Sequence, residues 1–205
     1  GAIFHVFERL GKRRYEGLDI ELREIIKEQE TRDSDPFDQV VTEAYVIDIL
    51  HQATFQELVT RASQKLATQL PVSASQLIPG FLEESSIEIT SSAHEVAITH
   101  VRMNGLERPH MLLARAQQGL RIYTTSDTQL GRSPDDLVRA ILFIVTPEDN
   151  PGQHVRLLTR ITKRAEDDGF IPEWLEARTG QDLKEALFHE EVMFTMRLEH
   201  GLAGD

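Results

Sequence analysis

Apolar residues recur along this chain with two different periods, and the change of period divides it. Leu18, Leu22, Ile25 and Ile26 fall on one face of a helix, flanked by Glu21, Glu24, Lys27 and Glu28. Thr31-Arg32-Asp33-Ser34-Asp35-Pro36 breaks that pattern with turn formers and a proline. Residues 1–45 therefore read as a helical extension whose apolar face needs a partner, either the main domain or a second copy of the chain in a homodimer.

From Tyr45 onward strand and helix patterns alternate. Val46-Ile47-Asp48-Ile49-Leu50 predicts a short buried strand. Thr54 is placed to cap a helix whose Phe55, Leu58, Val59, Ala62, Leu66 and Leu70 form one stripe, ended by Pro71. Ser73 opens a second helix through Leu77, Ile78, Phe81 and Leu82, with an irregularity at Pro79-Gly80. Ile87-Glu88-Ile89 and the run from Val96 to Met103 read as strands, and Asn104-Gly105 as a turn. Another strand covers Met111 to Ala116, with Gly119 turning the chain into Leu120-Arg121-Ile122-Tyr123. Residues 124–137 read as a polar surface loop. Val138 to Val145 is apolar on both faces and so belongs at the centre of a sheet. Pro147 to Gly152 leads into a helix with Val155, Leu158, Ile161 and Ala165 turned inward, and two more helices follow near Glu173–Arg178 and Gln181–His189. The predicted fold is α/β, a small mixed β-sheet flanked by helices on both faces. Its domain spans 46–190, after the 1–45 extension and before a tail at 191–205.

Composition narrows the function. Twenty-two basic residues stand against 34 acidic ones among 205, a formal charge of −12, with an isoelectric point near 5.1. Such a surface argues against nucleic acid, whose phosphates call for Lys and Arg. With no cysteine there is no disulfide framework, thiolate metal site or cysteine nucleophile, which suits a reducing compartment. No apolar run approaches the roughly 18 residues of a membrane span, and the opening seven residues are too short for a secretory signal. The start at Gly1 without Met suggests a segment of a longer protein.

Phosphate-binding Gly-Lys-Ser/Thr loops, GxSxG elbows and HExxH pairs are all missing, so the histidines are the chemical candidates. His94 and His100 are six apart, on one side of a strand if that strand is unbroken, and Arg102 shares the side of His100. His154 falls near the start of the helix that follows Asn150-Pro151-Gly152-Gln153. Free amides and the helix dipole make such a start favourable to an anion, which brings in Gly152 and Gln153. One reading is two imidazoles and an arginine converging on an anion or phosphoryl group. The other is a set of ordinary polar rim residues. A metal would need a third ligand that spacing does not nominate, so no metal and no cofactor is expected.

Two motifs give these residues a context. The chain reads Glu95-Val96-Ala97-Ile98-Thr99-His100-Val101-Arg102, then Arg108-Pro109, and later Pro147-Glu148-Asp149-Asn150-Pro151-Gly152-Gln153-His154-Val155-Arg156-Leu157-Leu158. From about Thr54 to Leu187 it resembles the fructose/mannitol-type (type 2) enzyme IIA domain of the bacterial phosphotransferase system. That resemblance implies His100 in the place of the phosphate-accepting histidine and His154 in that of its partner. If active, the domain would be a phosphohistidine phosphotransferase. Two departures stand out. Thr99 replaces the family proline, and Glu84 stands where the family has an arginine, so a repelling carboxylate replaces a gripping cation.

The preface carries a second resemblance. Ile3 to Leu10, the basic Lys12-Arg13-Arg14, and Leu22 to Glu28 followed by Asp35-Pro36-Phe37-Asp38 look like the cytoplasmic segment after the last membrane helix of certain prokaryotic transporters, amino-acid-permease-like or cation-antiporter-like. Basic residues just inside a membrane follow the positive-inside bias. The combined expectation is a regulatory module on the cytoplasmic side of the membrane with a degenerate phosphohistidine site. Its partners would be the membrane-embedded part of the same polypeptide and a His-phosphorylated carrier protein or small anionic effector. The alternative is an active phosphocarrier accepting phosphate on His100.

Overall fold

The computed structural model describes residues 36–90, 95–125, 131–133 and 135–188. In chain order these form α1 (Pro36–Thr42), β1 (Tyr45–Ile49), α2 (Phe55–Ala67), α3 (Ala74–Leu82), a short turn of 3-10 helix at Glu84–Ser86, β2 (Ile87–Ile89), β3 (Val96–Met103), β4 (His110–Arg121), β5 (Leu137–Pro147), α4 (Pro151–Ala165) and α5 (Phe170–Glu176). A last helix, α6, is described over 180–188. The predicted apolar stretch around Leu18 to Ile26, His94 and the tail at 191–205 lie outside the described residues.

The five strands make one mixed sheet in the order β1-β4-β5-β3-β2. β1 runs parallel to β4 and β3 parallel to β5, while β4 with β5 and β2 with β3 are antiparallel. The double-sided apolar run from Val138 holds the middle place, with Ala140 through Val145 wholly buried. Alternation along the strands then fills two cores. Ala97, Val101, Leu112, Ile141 and Phe143 face α2 and α3, whereas Val96, Ile98, Leu113, Leu142 and Ile144 face α1, α4, α5 and α6.

The helices form where their signals stand. Thr54 and Glu57 close a reciprocal capping box on α2. Leu58, Val59, Ala62 and Leu66 are fully buried beneath it, each large side chain contributing about 1.5–3 kcal/mol.

Three expectations are corrected. The pieces on either side of Gly119 belong to one bulged strand, β4, whose register shifts between Arg115 and Leu120. Gly119 makes this possible, with φ of +75° and Leu137 Cβ only 2.7 Å from where a Cβ would sit. In α4 the inward stripe is His154, Leu157, Ile161, Arg164 and Ala165, and Val155 is 52% exposed. His154 takes the core position that hydropathy alone gave to its neighbour. Finally, Pro36–Thr42 belongs to the folded domain rather than to the extension. Phe37, Val40 and Val41 are buried, Arg160 stacks on the Phe37 ring at 4.2 Å, and Lys184 Nζ donates to the Thr42 carbonyl at 2.7 Å.

Candidate functional site

Strand β3 positions the site by alternation. Val96, Ile98, His100 and Arg102 share the face toward α4, while Thr99 turns the other way. Thr99 is fully buried and its hydroxyl donates to the Phe81 carbonyl at 2.9 Å, fastening β3 to the end of α3. Gly80 lets that helix come so close: a Cβ there would lie 2.7 Å from Val101 Cγ1.

Helix α4 brings the second imidazole. Asn150 caps it, its side-chain oxygen accepting the Gln153 amide at 3.2 Å, and Pro151 has no amide to offer. The helix start that Gly152 and Gln153 were expected to open to an anion is thus partly closed by the chain's own cap. One turn in, His154 lies against His100 with ring centroids 5.0 Å apart and planes at 60°. Its Nδ1 is 2.5 Å from the buried Thr146 hydroxyl at the end of β5. Burial above all, then the neighbouring His100 and Arg102, pushes the His154 imidazole down to about 4, against a smaller opposing pull from Glu88. It is therefore neutral at pH 7.

A carboxylate stands beside His100, that of Glu88. Glu88 stands across from Ile98 in the β2–β3 register, which places it diagonal to His100 on the same face. Its Oε1 is 3.7 Å from His100 Nε2, an ion-pair separation and too long for a hydrogen bond. That nitrogen is buried, with no hydrogen-bond partner. The His100 ring holds the Glu88 carboxyl below the usual carboxylate range, outweighing the effect of burial. Glu84, four residues earlier, accepts a hydrogen bond from the Thr125 hydroxyl at 2.7 Å. Arg102 is exposed, and one guanidinium nitrogen donates to the Glu148 carbonyl at 2.5 Å. With the Glu148 amide on the Met103 carbonyl at 3.0 Å, this ties the ends of β3 and β5 together.

The structure places His100, His154 and Arg102 near one another, with Glu88 and Thr146 beside the imidazoles. Among the described residues no group of three histidine, aspartate or glutamate side chains is placed to hold a metal ion.

A mixed five-stranded sheet covered on both sides, with a strand histidine meeting a helix histidine at one end, defines a small α/β domain built around a paired-imidazole site. The chain belongs to the family of the phosphoenolpyruvate-dependent sugar phosphotransferase system, EIIA 2, whose model matches residues 39–190. Among solved structures it is similar to nitrogen regulatory protein IIA-Ntr from Neisseria meningitidis, with a TM-score of 0.57 and 15% identity over 70% of this chain and 92% of that one. It is also similar to IIA mannitol from Escherichia coli, with a TM-score of 0.50 and 17% identity over 68% and 94% of the two chains. These likenesses speak for the fold. No curated protein sequence matches the chain. The domain is an EIIA type 2 phosphocarrier or regulatory domain, and no helix among its described residues is long and apolar enough to cross a membrane.

Proposed function

We propose that this domain is the regulatory and interaction module of a prokaryotic membrane transporter of the amino-acid-permease-like kind, working on the cytoplasmic side, with a histidine site degenerate for phosphotransfer. The observation that carries this reading is the Glu88 carboxylate 3.7 Å from His100 Nε2. A phosphoryl group on that nitrogen would set its negative charge against the carboxylate, costing between about 1 and about 4 kcal/mol per unit of charge at roughly 4 Å, depending on solvent access. Glu84 in place of the family arginine removes a cation that would offset this. The formal charge of −12 suits the basic cytoplasmic loops of a membrane carrier. Residues 1–35, ahead of the folded domain, would be the connection through which the module speaks to that carrier.

A second reading, an active phosphocarrier, is favoured by the His100–His154 pair with its rings 5.0 Å apart. In it His100 accepts the phosphoryl group of a His-phosphorylated donor and passes it on. Incubation with phosphoenolpyruvate and the general phosphotransferase proteins, followed by intact mass, separates the two. The degenerate-site reading expects no phosphoryl gain on the wild type and a gain on Glu88→Gln or on Glu88→Gln with Glu84→Arg. An acid-labile phosphate on the wild type that vanishes in His100→Ala would establish the phosphocarrier instead.

A further inference from the structure

We propose that Thr146 is a positioning residue of the histidine pair: its hydroxyl donates to Nδ1 of His154 and fixes that imidazole as the tautomer bearing its proton on Nε2. Thr146 lies one residue from the end of β5, in register with Arg102 of β3, and is fully buried. Among the described residues its hydroxyl meets one hydrogen-bond partner, His154 Nδ1 at 2.5 Å. A hydroxyl carries one proton and two lone pairs. If it donates, the proton is satisfied and only lone-pair capacity goes unused. If it accepts, its own proton is stranded in the core, at a cost of about 1–3 kcal/mol. Unmet buried donors are the rarer defect for that reason. The β-branched side chain has few rotamers on a strand, so the hydroxyl is held where it is.

The ring on the other side of this bond is neutral at pH 7, because its pKa lies near 4. It therefore has one N–H and one lone pair, and with the lone pair facing Thr146 the N–H is on Nε2. The opposite tautomer would leave a lone pair at Nε2, which repels an anion instead of donating to it. The tautomer set by Thr146 offers that anion an uncharged donor with its orientation fixed in advance. Neither Thr146 nor its strand enters the contact between Glu88 and His100. The assignment thus stands whether His100 takes up phosphate or not, and it is tested without any phosphoryl donor.

Long-range proton–nitrogen spectra of the 15N-labelled protein at pH 7 read the tautomer directly, with His154 identified by the signals lost in His154→Gln. The expected result is one tautomer with a pyridine-like Nδ1 and a pyrrole-like Nε2. Thr146→Val is expected to lose this preference and give averaged shifts, and Thr146→Ser to restore it, which loss of packing alone would not do. A pyrrole-like Nδ1 in the wild type overturns the proposal. So does a folded Thr146→Val protein that keeps the single Nε2-protonated form. Should Thr146→Val fail to fold, the wild-type spectrum decides by itself.

Discussion

A histidine that resists protonation stores a dependence of stability on pH. His154 titrates near 4 in the folded chain against 6.5 for an unperturbed imidazole. Between those values the unfolded chain binds a proton that the folded chain refuses. Acidification therefore favours unfolding throughout this window, at about 1.4 kcal/mol per pH unit at most. Urea midpoints at pH 7 and pH 5 should differ by the equivalent of about 1–2 kcal/mol, and His154→Gln should remove most of that difference. Glu88 works in a lower window. Its folded pKa lies below 4.5, so its contribution is present above that value and fades as pH falls through the folded one. The imidazoles and Arg102 were legible in the sequence because strand alternation and a helix start are local patterns. Glu88 and Thr146 were not, since each reaches a histidine on a different element. The one local signal was the polar residue in the middle of Ile87-Glu88-Ile89, ahead of the His100 strand.

Elements carry their own constraints, and the β4 bulge is the sharpest of them. Gly119 combines φ of +75° with a neighbour 2.7 Å from its missing Cβ. Gly119→Ala would pay both backbone strain and a clash with Leu137. A loss of about 2–4 kcal/mol is expected, read as a lowered urea midpoint with unchanged slope. A glycine between two apolar runs looks like a turn in the sequence, and only pairing with β5 shows that the chain continues as one strand through the bulge. The misplaced phase of α4 has a related cause. Hydropathy favours Val155 for the core, yet His154 lies inward against the Thr146 hydroxyl and Val155 faces out. Where strong local chemistry bounds an element, as Thr54 does at the start of α2, sequence and structure agree; its other end falls at Ala67, short of the expected stop at Pro71, with Thr68 as the C-cap.

Across the whole molecule, the buried Arg115 ties three described elements together. Its Nε and Nη2 pair with both oxygens of Asp48 at 3.0 and 2.6 Å, and Nη1 donates to the carbonyls of Trp174 and Ala177 at 3.1 and 2.5 Å. One guanidinium thus joins the edge strand β1, strand β4 and the end of α5. Asp48→Ala would leave that cation without its counter-charge. It should cost about 2–4 kcal/mol, seen as a lowered denaturation midpoint. Trp174, the chain's single tryptophan, is buried on the α5 side. Its fluorescence should therefore report the same transition as far-UV circular dichroism if the two cores unfold together. The sheet and its central strand could be anticipated from apolar patterning, whereas the strand order could not, because no spacing records which partner a strand will choose. That order has a consequence for biosynthesis. β5 is the last of the five described strands to leave the ribosome, yet it fills the place between β4 and β3. Until it emerges the nascent chain can assemble only β1 with β4 and β2 with β3, two ribbons separated by a gap one strand wide. A product terminated before Leu137 would carry two bare strand edges lined with apolar side chains, a substrate for chaperones and proteases rather than a smaller working domain.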